Sequence, residues 1–84
     1  MVGNMYYTYV LRSEADHNLY IGFTEDLEKR LIQHNEGKVP STEKRRPFKL
    51  IYYEACNIKD DAIAREKALK TGFGRAYLKR RILE

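Results

Sequence analysis

Cysteine is almost missing from this 84-residue chain, and its one example, Cys56, can neither close an internal disulfide nor build a multi-cysteine zinc site. Cys56 falls at an expected strand end beside Ala55 with no oriented base in view, so a small semi-buried residue is a plainer reading than a catalytic thiol. No apolar run is long enough to cross a membrane. The opening Met1-Val2-Gly3-Asn4 lacks the basic region and apolar stretch of a secretory signal, so cytoplasmic residence is the expectation. Proline is scarce, and Pro40 and Pro47 both fall in one polar stretch. Internal repeats and low-complexity segments are also missing. The length leaves room for a single domain, residues 1–84, with one small core and modest stability.

Acidic residues are outnumbered, 12 against 16 basic ones, for a formal net charge of +4. This balance favours anionic partners, nucleic acid first and an anionic membrane second. The distribution says more than the total. Lys38, Lys44, Arg45 and Arg46 crowd one loop, and Lys79, Arg80 and Arg81 crowd the carboxyl end. Taken alone, each run is equally well a solvated face.

Residues Met5 to Arg12 and Leu19 to Phe23 are rich in aromatic and β-branched types and read as strands. The polar turn formers from Ser13 to Asn18 make a hairpin between them. Thr24 is the expected cap of a first helix carrying Leu27, Leu31 and His34 at helical spacing, with Gly37 at its C′ position. Lys38 to Pro47 reads as a loop and Phe48 to Ala55 as a third strand. A second helix is expected from a cap at Asn57 to about Lys70, stopped by Gly72, and a short third helix over Ala76 to Leu83. The order β-β-α-β-α-α predicts an α/β (α+β) fold, a three-stranded sheet flanked by helices.

Several residues sit where structure alone would not put them. Ala62, Ile63 and Leu69 form an apolar stripe on the second helix, and Glu66 falls inside it. A carboxylate facing a core is costly unless paired or bound to metal, although Arg65, Lys67 and Lys70 offer ordinary surface pairing. Arg30 and His34, one helical turn apart, would set a guanidinium beside an imidazole. Arginine suits bidentate phosphate contact and histidine exchanges a proton near neutral pH, yet a histidine at a helix end is also a common partner of the helix dipole. Tyr7, Tyr9 and Leu11 alternate with Tyr6, Thr8 and Val10 across the first strand. Tyr6, Tyr52, Tyr53 and Tyr77 read as packing. Gly22, inside the second strand, suggests a bulge or a close backbone approach.

Together these residues resemble the GIY-YIG nuclease family. Tyr7-Thr8-Tyr9 stands at the family's first triplet, keeping only its final Tyr, and Tyr20-Ile21-Gly22 matches the second. Arg30 corresponds to the Arg of the following helix, His34 to the His or Tyr one turn later, and Glu66 to the metal-binding Glu. The run LYIGFTEDLEKRLIQHNEG is similar to the small standalone bacterial members, and the resemblance covers nearly the whole chain. The Asn that many family enzymes carry near the domain's end has no counterpart after Glu66.

The resemblance implies a metal-dependent endonuclease hydrolysing phosphodiester bonds. Its implied catalytic set is Tyr9, Tyr20, Arg30, His34 and Glu66. Glu66 would hold one Mg²⁺ or Mn²⁺, Tyr9 would take a proton from the attacking water, and His34 would relay charge to or from Tyr9. Arg30 would grip the scissile phosphate while Tyr20 orients water or phosphate. Lys38, Lys44, Arg45 and Arg46 would bind nucleic acid, DNA ahead of RNA, with the protein a monomer away from membranes. The competing expectation is a catalytically weak nucleic-acid-binding module that uses the basic loop and the aromatic surface.

Overall fold

The computed structural model describes residues 4–82; the first three residues and Leu83, the expected end of the third helix, lie outside it. Strand β1 (Tyr6–Ser13) turns back into β2 (Leu19–Thr24), helix α1 (Leu27–Asn35) follows, and β3 (Phe48–Cys56) leads into α2 (Lys59–Leu69) and α3 (Gly72–Arg81). The three strands form one antiparallel sheet in the order β2-β1-β3, so the aromatic first strand lies in the middle. This is the α+β architecture expected from the sequence.

The alternation along β1 assigns its side chains to two cores. Val10 packs with Ile21 of β2, Leu69 of α2 and Leu78 of α3. Tyr9 and Leu11 pack with Phe48, and Leu27 and Leu31 of α1 close over them. Helix α1 thus covers one face of the sheet, and α2 with α3 the other. Burying side chains such as Leu11, Leu69 and Leu78, each no more than 1% exposed, stabilises the fold by roughly 1.5–3 kcal/mol apiece. Thr8, equally buried, donates its hydroxyl hydrogen to the Ala62 carbonyl at 2.9 Å and pins α2 to the sheet.

The helix ends differ in detail from the expectations. Helix α1 is capped by Asp26, whose carboxylate accepts from the Lys29 amide at 3.1 Å, and not by Thr24. The Thr24 hydroxyl instead accepts from the Asp26 amide and shapes the turn ahead of the cap. At its other end Gly37 holds the expected C′ position with φ +79, and Gly37 N–H donating to the His34 carbonyl and Lys38 N–H to the Gln33 carbonyl make a Schellman arrangement. Helix α2 begins after Ile58 rather than Asn57, without a side-chain cap, and its first turn holds Asp60 and Asp61.

Gly72 does not stop α2; it opens α3, which begins four residues earlier than the expected start at Ala76. Thr71 caps α3 by accepting from the Gly74 amide at 3.2 Å. A Cβ on Gly74 would run into the Ala68 carbonyl and the Leu69 backbone, so glycine here lets the two helices meet at a sharp corner. The stretch from Lys38 to Pro47 is a loop as expected, with one 3₁₀ turn at Glu43–Arg45.

Candidate active site

Tyr9 reaches the α1 face from the central strand because β-strand side chains alternate. Opposite it on β2 stands Gly22, and a Cβ there would overlap the Tyr9 hydroxyl and Cζ. The glycine expected to mark a close backbone approach is therefore the seat of the Tyr9 ring. The phenol is 1% exposed and meets His34 Nε2 at 2.8 Å. His34 is fully buried at the end of α1, with the rings of Tyr9, Tyr20 and Phe48 edge-on at 5.8, 5.0 and 5.9 Å.

The other imidazole nitrogen fixes the tautomer. His34 Nδ1 lies 2.8 Å from the Thr42 hydroxyl, which itself donates to the Val39 carbonyl at 3.3 Å. A hydroxyl that spends its hydrogen on a carbonyl accepts from its other partner, so Nδ1 carries the proton. Nε2 then offers its lone pair to the Tyr9 O–H. The line Tyr9–His34–Thr42–Val39 is a continuous hydrogen-bonded chain leading from the phenol into the loop. Burial, with the Arg30 charge adding to it, lowers the His34 pKa to about 4, so the ring is neutral at pH 7. Burial also pushes the Tyr9 phenol above its ordinary value, with the Arg30 guanidinium pulling it back and the Tyr20 and Glu66 charges raising it further.

Arg30 is half-buried on α1, and its Nη1 donates to Gln33 Oε1 at 3.2 Å. Its Nε is buried without a hydrogen-bond partner. A buried, unpaired guanidinium N–H is costly and is suited to an incoming anion such as a phosphate oxygen. Glu66 keeps its place in the α2 stripe between buried Ala62 and Leu69, its side chain 21% exposed, and meets Lys70 Nζ at 3.1 Å. The structure therefore gathers Tyr9, Tyr20, Arg30 and His34 into one cluster, and the Glu66 charge is felt at the phenol.

As a ligand set, one carboxylate with hard oxygen donors fits a divalent ion such as Mg²⁺, which keeps most of its waters. No group of three or more His, Cys, Asp or Glu side chains gathers around a common point among the described residues.

The basic loop divides into different environments. Arg45 Nε donates to Asp16 at 2.7 Å, holding that carboxyl down at about 2, and its guanidinium lies over Phe48. Lys44 and Arg46 are exposed, the latter bonded through Nε to the Glu43 carbonyl. Lys38 is exposed and pairs with Glu36 at 3.1 Å. Thr42 escaped the sequence reading: a threonine in a polar loop carries no signal of a buried bond to a histidine eight residues earlier.

Comparison with known proteins places the chain in a family. The GIY-YIG catalytic domain family matches residues 5–80. A UPF0213 protein of Staphylococcus saprophyticus is 40% identical over 67 residues, 79% of this chain and 80% of that one. A UPF0213 protein of Lactiplantibacillus plantarum is 44% identical over 77 residues, 88% of this chain and 75% of its own. The solution NMR structure of a UPF0213 protein from Bacillus halodurans is 30% identical and superposes with a TM-score of 0.54, covering 88% of this chain and 81% of that one. By match, by relatives and by fold, the chain belongs to the GIY-YIG catalytic domain family, a nuclease family that acts on nucleic acid.

Proposed function

We propose that this chain is a metal-dependent endonuclease that hydrolyses phosphodiester bonds as a single domain, with DNA as the leading substrate. The observation that carries the reading is the bond from Tyr9 to a neutral His34 beside an unpartnered Arg30 Nε. Arg30 binds a non-bridging oxygen of the scissile phosphate and holds the phosphorus near the phenol. Water attacks phosphorus and yields its proton to the Tyr9 oxygen while the phenolic hydrogen passes to His34 Nε2. The Thr42 hydroxyl keeps the imidazole oriented for that transfer. Tyr20, with its ring against His34 and Tyr9, positions the water or the phosphate. The ester P–O bond breaks as the new one forms. Glu66 would hold the divalent ion, Mg²⁺ or Mn²⁺, which supplies positive charge to the departing oxygen.

A second reading, a nucleic-acid-binding module of weak turnover, is favoured by one observation. Burial holds the proton on Tyr9 and keeps one off His34 at neutral pH, against the transfer that the nuclease reading needs. A bound phosphate that screens Arg30 eases the restraint on His34, in which burial is the larger cause, but removes part of the pull that lowers Tyr9. A cleavage panel separates the readings: blunt, branched and single-stranded DNA and RNA, each with Mg²⁺, Mn²⁺ or EDTA. Endonucleolytic products that vanish in EDTA support the nuclease. Binding without cleavage under every metal overturns it in favour of the module. The proposed setting is the cytoplasm; among the described residues no helix is long and apolar enough to cross a membrane.

A further inference from the structure

Beside the catalytic cluster a groove of about 780 Å³ runs between the end of the β1–β2 hairpin and helix α3. Tyr20 belongs to both, so the groove begins where the proposed chemistry takes place. Leu19, 40% exposed, and half-buried Ile82 present apolar surface to it, whereas Ile21 and Leu78, which also line it, are buried. Lys70, Arg75 and Lys79 stand around it, all exposed, and none of the residues lining it is a carboxylate.

Arg75 and Lys79 are four residues apart on α3, so their like charges share one helix face and repel. Nothing acidic on α3 relieves them, since the helix carries no Asp or Glu. An anion would. A paired base buries its faces in the duplex stack and would leave the apolar surface uncovered, whereas an unpaired base offers a flat face to it. Cations around apolar surface, joined to a phosphate-cleaving site, match a nucleotide whose base has left the duplex.

We propose that this groove binds an unpaired nucleotide flanking the scissile phosphate, giving the protein a preference for substrates with a single-stranded segment. The proposal rests on the nuclease reading for the position of the scissile phosphate. The base lies against Leu19 and Ile82, and its flanking phosphates are met by Arg75 and Lys79.

The test is fluorescence anisotropy in EDTA, so that binding is read without cleavage. The probes are a labelled blunt DNA duplex and the same duplex with a single-stranded tail. The wild type should bind the tailed duplex about fivefold more tightly or better, the lower end of what one stacked base contributes. Arg75→Ala with Lys79→Ala should flatten the salt dependence for the tailed probe by roughly 1.4 in slope, two single-strand phosphate contacts. Leu19→Asp, at an exposed position and checked for its fold by circular dichroism, should abolish the gain from the tail and spare blunt-duplex binding. Equal affinity for the two probes, or a tail gain that survives both variants, overturns the proposal. Metal-dependent cleavage without tail preference would overturn this inference alone, whereas failure to bind any nucleic acid would overturn the nuclease reading with it.

Discussion

Acidification should unfold this protein through His34. The imidazole is fully buried against Tyr9, Tyr20 and Phe48 with Arg30 nearby, and its pKa falls from 6.5 to about 4. Above pH 6.5 the ring is neutral in both folded and unfolded chains and the full stability is present. Between 6.5 and 4 the unfolded chain takes up a proton that the folded one refuses, so stability is lost as pH falls. At pH 4.5 that difference amounts to about 2.5 kcal/mol, a large part of the stability of so small a domain. Urea unfolding at pH 7 and pH 4.5, for the wild type and for His34→Gln, isolates the effect. Glutamine keeps a polar head for Tyr9 and Thr42 but does not titrate, and carboxylate contributions cancel between the two proteins. The wild type should lose about 2.5 kcal/mol more than the variant. Equal losses would show that His34 is not held neutral, and the proton-acceptor role built on its free Nε2 would fall with it.

Other outcomes follow from the same contacts. Gly22→Ala should destabilise the fold by roughly 1–3 kcal/mol in urea, because the added methyl displaces a Tyr9 ring that has no room to move; an unchanged midpoint would contradict the packing. Tyr9→Phe should lower the single-turnover cleavage rate by about 10²–10⁴ and leave nucleic-acid affinity nearly intact, with Tyr20→Phe costing less. Wild-type cleavage by Tyr9→Phe would reduce that tyrosine to core packing. Lys44→Ala with Arg46→Ala should flatten the salt dependence of duplex binding by roughly 2 in slope if both meet phosphates. Arg45→Ala, by contrast, should lower the melting temperature, since Arg45 ties the loop to Asp16.

Much of this was legible in the sequence because period and punctuation carry it. The alternation of Tyr7, Tyr9 and Leu11 against Thr8 and Val10 gave the two faces of β1, and Gly37 gave the end of α1. The helix corner was not legible. Gly72 reads as a stop signal, yet it opens α3, because Gly74 lets the backbones of two helices meet there, a contact that no local pattern announces. Thr24 is the expected cap of α1, and the turn geometry sets Asp26 there in its place, with the Thr24 hydroxyl accepting from the Asp26 amide. At the site, Glu66 and Gly22 stand out by their misfit, a carboxylate in an apolar stripe and a glycine in a strand, whereas Tyr9 and Tyr20 are singled out only by the family resemblance. Thr42 had no misfit to show, and neither did the groove, which exists only once α3 is set beside the hairpin.

The central claim is that Glu66 holds the cation on which cleavage depends. Its most direct test is single-turnover cleavage of a nucleic-acid substrate by Glu66→Gln beside the wild type over a range of Mg²⁺ concentrations, with circular dichroism and thermal melting on both. Glutamine preserves the shape but removes the charge that attracts a hard cation. The account predicts that cleavage is abolished while the fold is retained, the side chain being only partly buried and paired with Lys70 at the surface. Undiminished Mg²⁺-dependent cleavage by a folded Glu66→Gln protein would contradict it.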